Sequence, residues 1–82
     1  MELINIDFIK VNAKQLKKLD RHKVDEHALS YEIGEDVHPI DLVRIDHNEY
    51  CISGNGRHRY FGAVKAGIKF IEANVFNGTE EF

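Results

Sequence analysis

The fold is decided by a stretch in the second half of the chain, which reads Tyr50-Cys51-Ile52-Ser53-Gly54-Asn55-Gly56-Arg57-His58-Arg59. The first three of these residues favour a strand, and the two glycines around Asn55 end it. Apolar side chains at helical spacing follow, and Gly67 is a typical residue for the end of a helix. The stretch therefore predicts a strand, a glycine turn and a helix in direct succession.

Further strands are predicted on both sides of this stretch. Apolar residues between Ile40 and Ile45 predict a strand that the polar turn 46–49 joins to the next one as a hairpin. A last strand is predicted over 70–76, after the helix. At the other end of the chain, the apolar-rich segment from Leu3 to Val11 predicts one opening strand that ends near Asn12.

Helices are predicted between the opening strand and the hairpin. Leu16 and Leu19 lie three residues apart, within a charged segment that runs from residue 13 to about residue 30. This spacing predicts one or two amphipathic helices, which Gly34 ends. We therefore expect an α+β fold, a small mixed β-sheet with packed helices. It forms a single domain over residues 1–82, with a core at about 34–76 and a frayed tail at 77–82.

Composition restricts the function. The 82 residues carry a net charge of −3, so the chain as a whole lacks the positive field that sequence-independent duplex binding uses. Cys51 is the only cysteine, which excludes an internal disulfide. No apolar run approaches the roughly twenty residues of a membrane span, and the N-terminus lacks a basic signal start. We expect a cytoplasmic protein without a membrane partner.

The glycine turn is suited to an anion. Glycines allow close approach of the backbone, and a helix start presents unpaired N–H groups. Asn55 is also a candidate cap for this helix. The cations Arg57 and Arg59 are unfavourable at the positive end of a helix, so they indicate an anionic ligand, and His58 is able to donate or carry a proton. The predicted phosphate-binding residues are Ser53, Gly54, Asn55, Gly56, Arg57, His58 and Arg59. The alternative is a simple tight turn with solvated arginines.

Two carboxylates are candidates for chemistry beside this turn. Glu35 and Asp36 precede the Pro39 strand, and their oxygens suit Mg²⁺ or acceptance of a hydroxyl proton; the alternative is a solvated acidic loop. His22 and His27 lie five residues apart, which does not place them on one helix face. No zinc site is expected, because no compact ligand spacing occurs.

The segment from Gly34 to Val75 resembles the superfamily of ParB N-terminal domains and sulfiredoxins, which includes the ParB-like nuclease domain. The resemblance rests on the order of five elements. They read His38-Pro39-Ile40, Tyr50-Cys51-Ile52-Ser53, Gly54-Asn55-Gly56-Arg57-His58-Arg59, Ala63-Val64-Lys65-Ala66-Gly67 and Ile71-Glu72-Ala73-Asn74-Val75.

This resemblance implies a nucleoside triphosphate pocket, used for CTP in ParB proteins and for ATP in sulfiredoxins and related serine kinases. Arg57 and Arg59 match the family's phosphate-binding arginines, and His58 matches a histidine of the sulfiredoxin motif. Arg57 occupies the position of the sulfiredoxin cysteine, so sulfiredoxin chemistry is not expected. Asn55 and Gly56 stand where ParB carries a glutamate and an arginine, which weakens the expectation of metal-assisted chemistry.

Three functional hypotheses follow. The first is a stand-alone domain that binds a nucleoside triphosphate, with or without Mg²⁺. If it is an enzyme, the expected reaction is hydrolysis or phosphoryl transfer, with His58 orienting or donating and Glu35 or Asp36 as base or metal ligand. The second is a non-enzymatic adaptor or regulatory module that binds a protein partner or a second copy. The third is DNA-backbone binding through the basic residues Lys14, Lys17, Lys18, Arg21 and Lys23, for which a solvated helix face is the alternative. The resemblance also implies a nuclease-like activity, in which the phosphate site would serve a phosphodiester.

Overall fold

The computed structural model describes residues 1–17, 19–35, 37–54 and 56–77. These residues form five strands, three α-helices and one short 3₁₀-helix. In chain order the elements are β1 (Glu2–Asn5), the 3₁₀-helix (Ile6–Phe8), β2 (Ile9–Lys10), α1 (Ala13–Lys17), α2 (Arg21–Glu32), β3 (Ile40–Asp46), β4 (Glu49–Ser53), α3 (Arg57–Lys65) and β5 (Phe70–Asn77). The predicted α+β class, the two helices after the opening segment, the β3–β4 hairpin and the strand-turn-helix unit are confirmed.

The five strands form one mixed sheet in the order β1-β5-β3-β4-β2. The pairs β1–β5 and β3–β4 are antiparallel, whereas β3–β5 and β2–β4 are parallel. β1 and β2 lie at opposite edges, although only the three residues of the 3₁₀-helix separate them in the chain. Four strand spacings span roughly 19 Å in a flat sheet, and three 3₁₀ residues advance roughly 6 Å. The sheet therefore curls so that its two edges approach each other.

The predicted single opening strand is wrong, because a 3₁₀-helix interrupts it. The Asn5 side chain accepts a hydrogen bond from the Asp7 N–H over 2.9 Å and starts the turn. The Ile6 N–H still donates to the Lys69 carbonyl over 2.9 Å, which is the next pair in the β1–β5 register. Ile6 and Ile9 both remain buried, three residues apart. A segment this rich in apolar residues does not distinguish this spacing from the two-residue alternation of a strand.

Helices α2 and α3 end in the same way. Each stops before a glycine with positive φ, Gly34 at 77° and Gly67 at 76°. After α3, the Gly67 N–H donates to the Val64 carbonyl and the Ile68 N–H donates to the Ala63 carbonyl. This pattern satisfies the carbonyls at the end of the helix. The predicted helix stops at both glycines are confirmed.

The core lies on the inner face of the curled sheet. Ile40, Leu42 and Ile71 are its largest fully buried side chains. The predicted tail began at Asn77, but that residue still belongs to β5, where it pairs with Arg44. Residues 78–82 lie outside the described part of the chain. Within the described part, none of the helices has the length and apolar character needed to cross a membrane.

Helices α2 and α3 pack closely at Gly62. A Cβ atom on Gly62 would lie 2.7 Å from the Cβ of His27 and 2.9 Å from the backbone nitrogen of Ala28. Real side chains do not approach so closely, so only glycine fits. This contact brings the α2 face that carries His27 next to α3.

Candidate functional site

The first turn of α3 starts directly on the sheet. Gly54 adopts a φ of 71°, which favours glycine, and it turns the chain out of β4. Gly56 is the residue that caps α3, without a side-chain hydrogen bond. A Cβ on Gly56 would lie 3.0 Å from the Cβ of Ile40 and 3.2 Å from Cγ2 of Ile52. These contacts are tighter than most real Cβ contacts, so a side chain at Gly56 would require Ile40 or Ile52 to shift slightly. Asn55, the predicted cap, lies outside the described residues.

His58 lies on the first turn of α3 and is buried, with 9% of its surface exposed. Its Nε2 atom accepts a hydrogen bond from the backbone N–H of Asp20 over 2.8 Å. Nε2 is thus an acceptor, and the neutral ring carries its proton on Nδ1. Burial lowers the pKa of His58, and the positive charges of Arg57 and Lys23 lower it further. His58 is able to donate to a ligand only through Nδ1.

Arg59 holds the segment that precedes β3. Its Nη1 atom donates to the carbonyl oxygens of His38 and Pro39, over 3.0 and 3.1 Å. This predicted phosphate ligand therefore also fixes backbone next to the turn. Arg57, on the same helix turn, is half-buried and lines the same cleft as Arg59.

A cleft of about 660 Å³ lies between α2, the 37–38 segment and the start of α3. Its size is within the usual range of ligand sites. Its described lining includes three residues with a full positive charge and three histidines, but no carboxylate. The residues are Lys23, His27, Ser30, Val37, His38, Arg57, His58 and Arg59. The cleft is therefore locally cationic in a chain whose net charge is −3.

The sequence indicates Lys23 only as part of a basic stretch for DNA, and it does not connect the α2 side of this cleft with the glycine turn. Lys23, His27 and Ser30 follow the spacing i, i+4, i+7, which places three polar side chains on one helix face. This spacing is visible in the sequence and indicates a shared helix face. The separation of His27 from His22 alone does not reveal it. Burial lowers the pKa of His27, and the nearby Arg59 lowers it further. The structure brings this stripe opposite Arg57 and Arg59 across the cleft.

Of the two predicted carboxylates, the described one, Glu35, lies away from the arginines. Glu35 does not line the described cleft but a neighbouring depression, and its Oε2 accepts a hydrogen bond from the Ser30 hydroxyl over 3.4 Å. Asp36 lies outside the described residues. Among the residues that are described, no three His, Cys, Asp or Glu side chains form a group suited to a metal ion. The roles of Glu35 and Asp36 as base or metal ligand stay predictions.

Two aromatic residues follow the arginines but do not enter the cleft. Tyr60 packs against the core, and its ring meets that of Phe61 edge to face at 4.9 Å. Phe61 lines a groove between α2 and α3 together with Leu19 and Val24. A base bound with its phosphates in the cleft would therefore stack elsewhere.

Solved structures with the same architecture cover almost the whole chain. Sulfiredoxin from Arabidopsis thaliana superposes with a TM-score of 0.80 at 25% identity, over 98% of this chain and 88% of that one. The C-terminally truncated chromosome-partitioning protein ParB from Caulobacter crescentus, complexed with CTP-γ-S, superposes with a TM-score of 0.73 at 20% identity. The chain has the ParB/sulfiredoxin-like fold. The ParB match covers 98% of this chain, which spans only 46% of the length of the ParB chain.

A third structure with this ParB/sulfiredoxin-like fold is C-terminally truncated SbnI from Staphylococcus aureus. It superposes with a TM-score of 0.69 at 22% identity, over 98% of this chain and 31% of that one. No family model and no curated protein matches the sequence. The resemblance deduced from the residues at 34–75 is thus confirmed at the level of the three-dimensional fold.

Proposed function

We propose that this ParB/sulfiredoxin-like domain binds a nucleoside triphosphate. The cleft between α2, the 37–38 segment and the start of α3 holds its phosphates. The observation that carries the proposal is the charge of the cleft. Lys23, Arg57 and Arg59 converge on it, and its described lining contains no carboxylate. In an acidic chain, such a concentration of cations is favourable when an anion neutralises it.

The position of α3 supports the same ligand. Nine residues of helix start at Arg57, and the first N–H groups of a helix have no partner within it. These groups and the helix dipole favour a phosphate at this end. Guanidinium groups match phosphate geometry through paired N–H donors.

One structural neighbour supports a nucleotide as the ligand. The Caulobacter crescentus ParB structure contains CTP-γ-S, and the fold it shares with this domain includes the turn that carries Arg57 and Arg59. The sulfiredoxin reaction is not proposed, because Arg57 occupies the position of the sulfiredoxin cysteine. The proposal concerns binding; hydrolysis or phosphoryl transfer, with Glu35 or Asp36 as base or metal ligand, stays a separate prediction.

Calorimetric titration of the purified protein tests the proposal. CTP, ATP, GTP and UTP are each titrated with and without Mg²⁺. Arg57→Ala and Lys23→Ala should each lower the affinity for the nucleotide about tenfold or more, as expected for loss of a charge-assisted hydrogen bond. Lys10→Ala is the matched control, because this exposed lysine lies on β2 and not in the cleft.

Two results would contradict the proposal. One is the absence of binding by all four nucleotides at millimolar concentration. The other is equal weakening by Lys10→Ala and Arg57→Ala, which would indicate attraction to overall charge rather than to the cleft. Release of inorganic phosphate is then measured separately, because hydrolysis or phosphoryl transfer is not required for binding.

A further inference from the structure

A smaller depression adjoins the phosphate cleft. Its volume is about 210 Å³, and Val37 lines both cavities. The described lining of the depression includes two aromatic rings, Tyr31 and Phe70, and two carboxylates, Glu35 and Glu72, but no lysine or arginine. A ligand that spans both cavities therefore meets cations at one end and aromatic rings with hydrogen-bond acceptors at the other.

Contacts between the two cavities show that they are neighbours. Ser30 lines the cleft, while its hydroxyl donates to Glu35 in the depression. Burial raises the pKa of the Tyr31 phenol; the positive charge of Arg59 opposes this shift and the negative charge of Glu72 adds to it. The Tyr31 phenol thus interacts electrostatically with one charged group from each cavity.

The depression also offers a ring for stacking. Phe70 lies on the outward side of β5 with 55% of its surface exposed, beside the half-buried Tyr31. Any nucleobase has a π-face that stacks on such a ring. The apolar side chains of Val37 and Ile68 complete an environment suited to a flat, weakly polar group.

We propose that this depression receives the base of the nucleotide whose phosphates occupy the cleft, and that Glu35 and Glu72 select bases carrying an exocyclic amino group. An ionised carboxylate only accepts hydrogen bonds. The amino groups of cytosine, adenine and guanine donate, whereas a carbonyl at the same position only accepts. This inference rests on the proposed function, because it requires the phosphates to lie in the cleft.

Matched ligand pairs test the inference on the purified protein. CTP is compared with UTP, and ATP with inosine triphosphate, because each pair exchanges the exocyclic amino donor for a carbonyl and moves the donor to the neighbouring ring nitrogen. Inorganic triphosphate reports the cleft alone. The amino-bearing nucleotide should bind about tenfold more tightly in each pair, as expected for one hydrogen bond to a charged group.

Variants then separate the two cavities. Phe70→Ala should weaken all nucleotides about tenfold through lost stacking and leave inorganic triphosphate unchanged. Phe76→Ala is the matched control, since this phenylalanine is 56% exposed on the same strand and does not line the depression. The double variant Glu35→Gln/Glu72→Gln should reduce the preference within each pair, whereas Glu49→Gln on β4 should not.

The outcomes distinguish this inference from the proposed function. If nucleotides bind but no pair differs, or if Phe70→Ala changes nucleotide affinity no more than Phe76→Ala, the base does not occupy the depression and the proposed function stands. If neither nucleotides nor inorganic triphosphate bind, the proposed function fails and this inference fails with it.

Discussion

The Nε2 atom of His58 accepts a hydrogen bond from the backbone N–H of Asp20 over 2.8 Å. Asp20 is at the same time the cap of α2, where its Oδ1 accepts from the His22 N–H over 2.9 Å. One buried imidazole therefore connects the first turn of α3 with the first turn of α2. These two helices form opposite sides of the cleft, so His58 fixes the shape of the site whether or not it touches a ligand.

Removal of this imidazole should destabilise the protein. His58→Ala leaves the Asp20 N–H without its acceptor and creates a cavity, which we expect to lower the free energy of unfolding by about 1–3 kcal/mol. His58→Gln places an amide oxygen near the position of Nε2 and should recover part of that loss. Urea unfolding followed by circular dichroism measures both. Equal losses in the two variants would show that the hydrogen bond to Asp20 contributes nothing.

The same histidine predicts how stability depends on pH. Burial, followed by the charges of Arg57 and Lys23, lowers the pKa of folded His58 below its ordinary value of 6.5. Above about pH 6.5 the imidazole is neutral in both the folded and the unfolded state, so its contribution is fully present. As the pH falls below that value, the unfolded chain takes up the proton first and stability decreases until the folded pKa is passed.

We therefore expect the urea midpoint to fall between about pH 7.5 and pH 5. The fall should be smaller in His58→Gln, which lacks this titrating group. Some dependence should remain, because burial also lowers the pKa of His27. A midpoint that rises on acidification over this range contradicts the prediction.

For Gly62→Ala, helix propensity and packing predict changes of opposite sign in the free energy of unfolding. Alanine is favoured over glycine inside a helix by roughly 1 kcal/mol. Yet the added Cβ would lie 2.7 Å from the His27 Cβ and would push α2 away from α3. We expect Gly62→Ala to lower the free energy of unfolding by about 1–3 kcal/mol. Stabilisation by this substitution would mean that the two helices do not pack as described.

Arg59 should differ from Arg57 in its effect on the backbone. Arg59→Ala removes the donor to the carbonyls of His38 and Pro39, so we expect a stability loss of about 1–2 kcal/mol and faster amide exchange at residues 37–41. Arg59→Lys keeps the positive charge but loses the planar fork, and should recover only part of the protection. Unchanged exchange in Arg59→Ala, measured by NMR, would show that these hydrogen bonds do not hold the segment.

Much of the fold was predictable because it depends on local chemistry. Gly34 and Gly67 end helices through a backbone conformation that glycine adopts without a steric penalty. The apolar residues of β3 and the polar turn before β4 likewise predict a hairpin from neighbouring residues alone. The prediction of a single opening strand is wrong at Ile6. The burial of Ile6 and Ile9 at three-residue spacing, and the capping by Asn5, depend on where the chain must turn.

The candidate site was only half predictable for a similar reason. Arg57 and Arg59 stand next to a glycine turn in the sequence, so their grouping is local. Lys23, His27 and Ser30 come from a helix more than twenty-five residues earlier, and only helix packing brings them to the same cleft. The sequence predicts Glu35 beside the glycine turn because it precedes Pro39, but in the structure it lines the neighbouring depression.

By itself, the sequence determined the strand, glycine turn and helix at 50–67 and the positive charge at the start of that helix. These features depend on backbone preferences and on side chains that are close in the chain. The tertiary structure decided what the turn faces. The sheet curls so that its edge strands, β1 and β2, approach each other, and Gly62 lets α2 approach α3. His58 is thereby held by Asp20, and the cationic cleft is closed by residues that no local pattern connects.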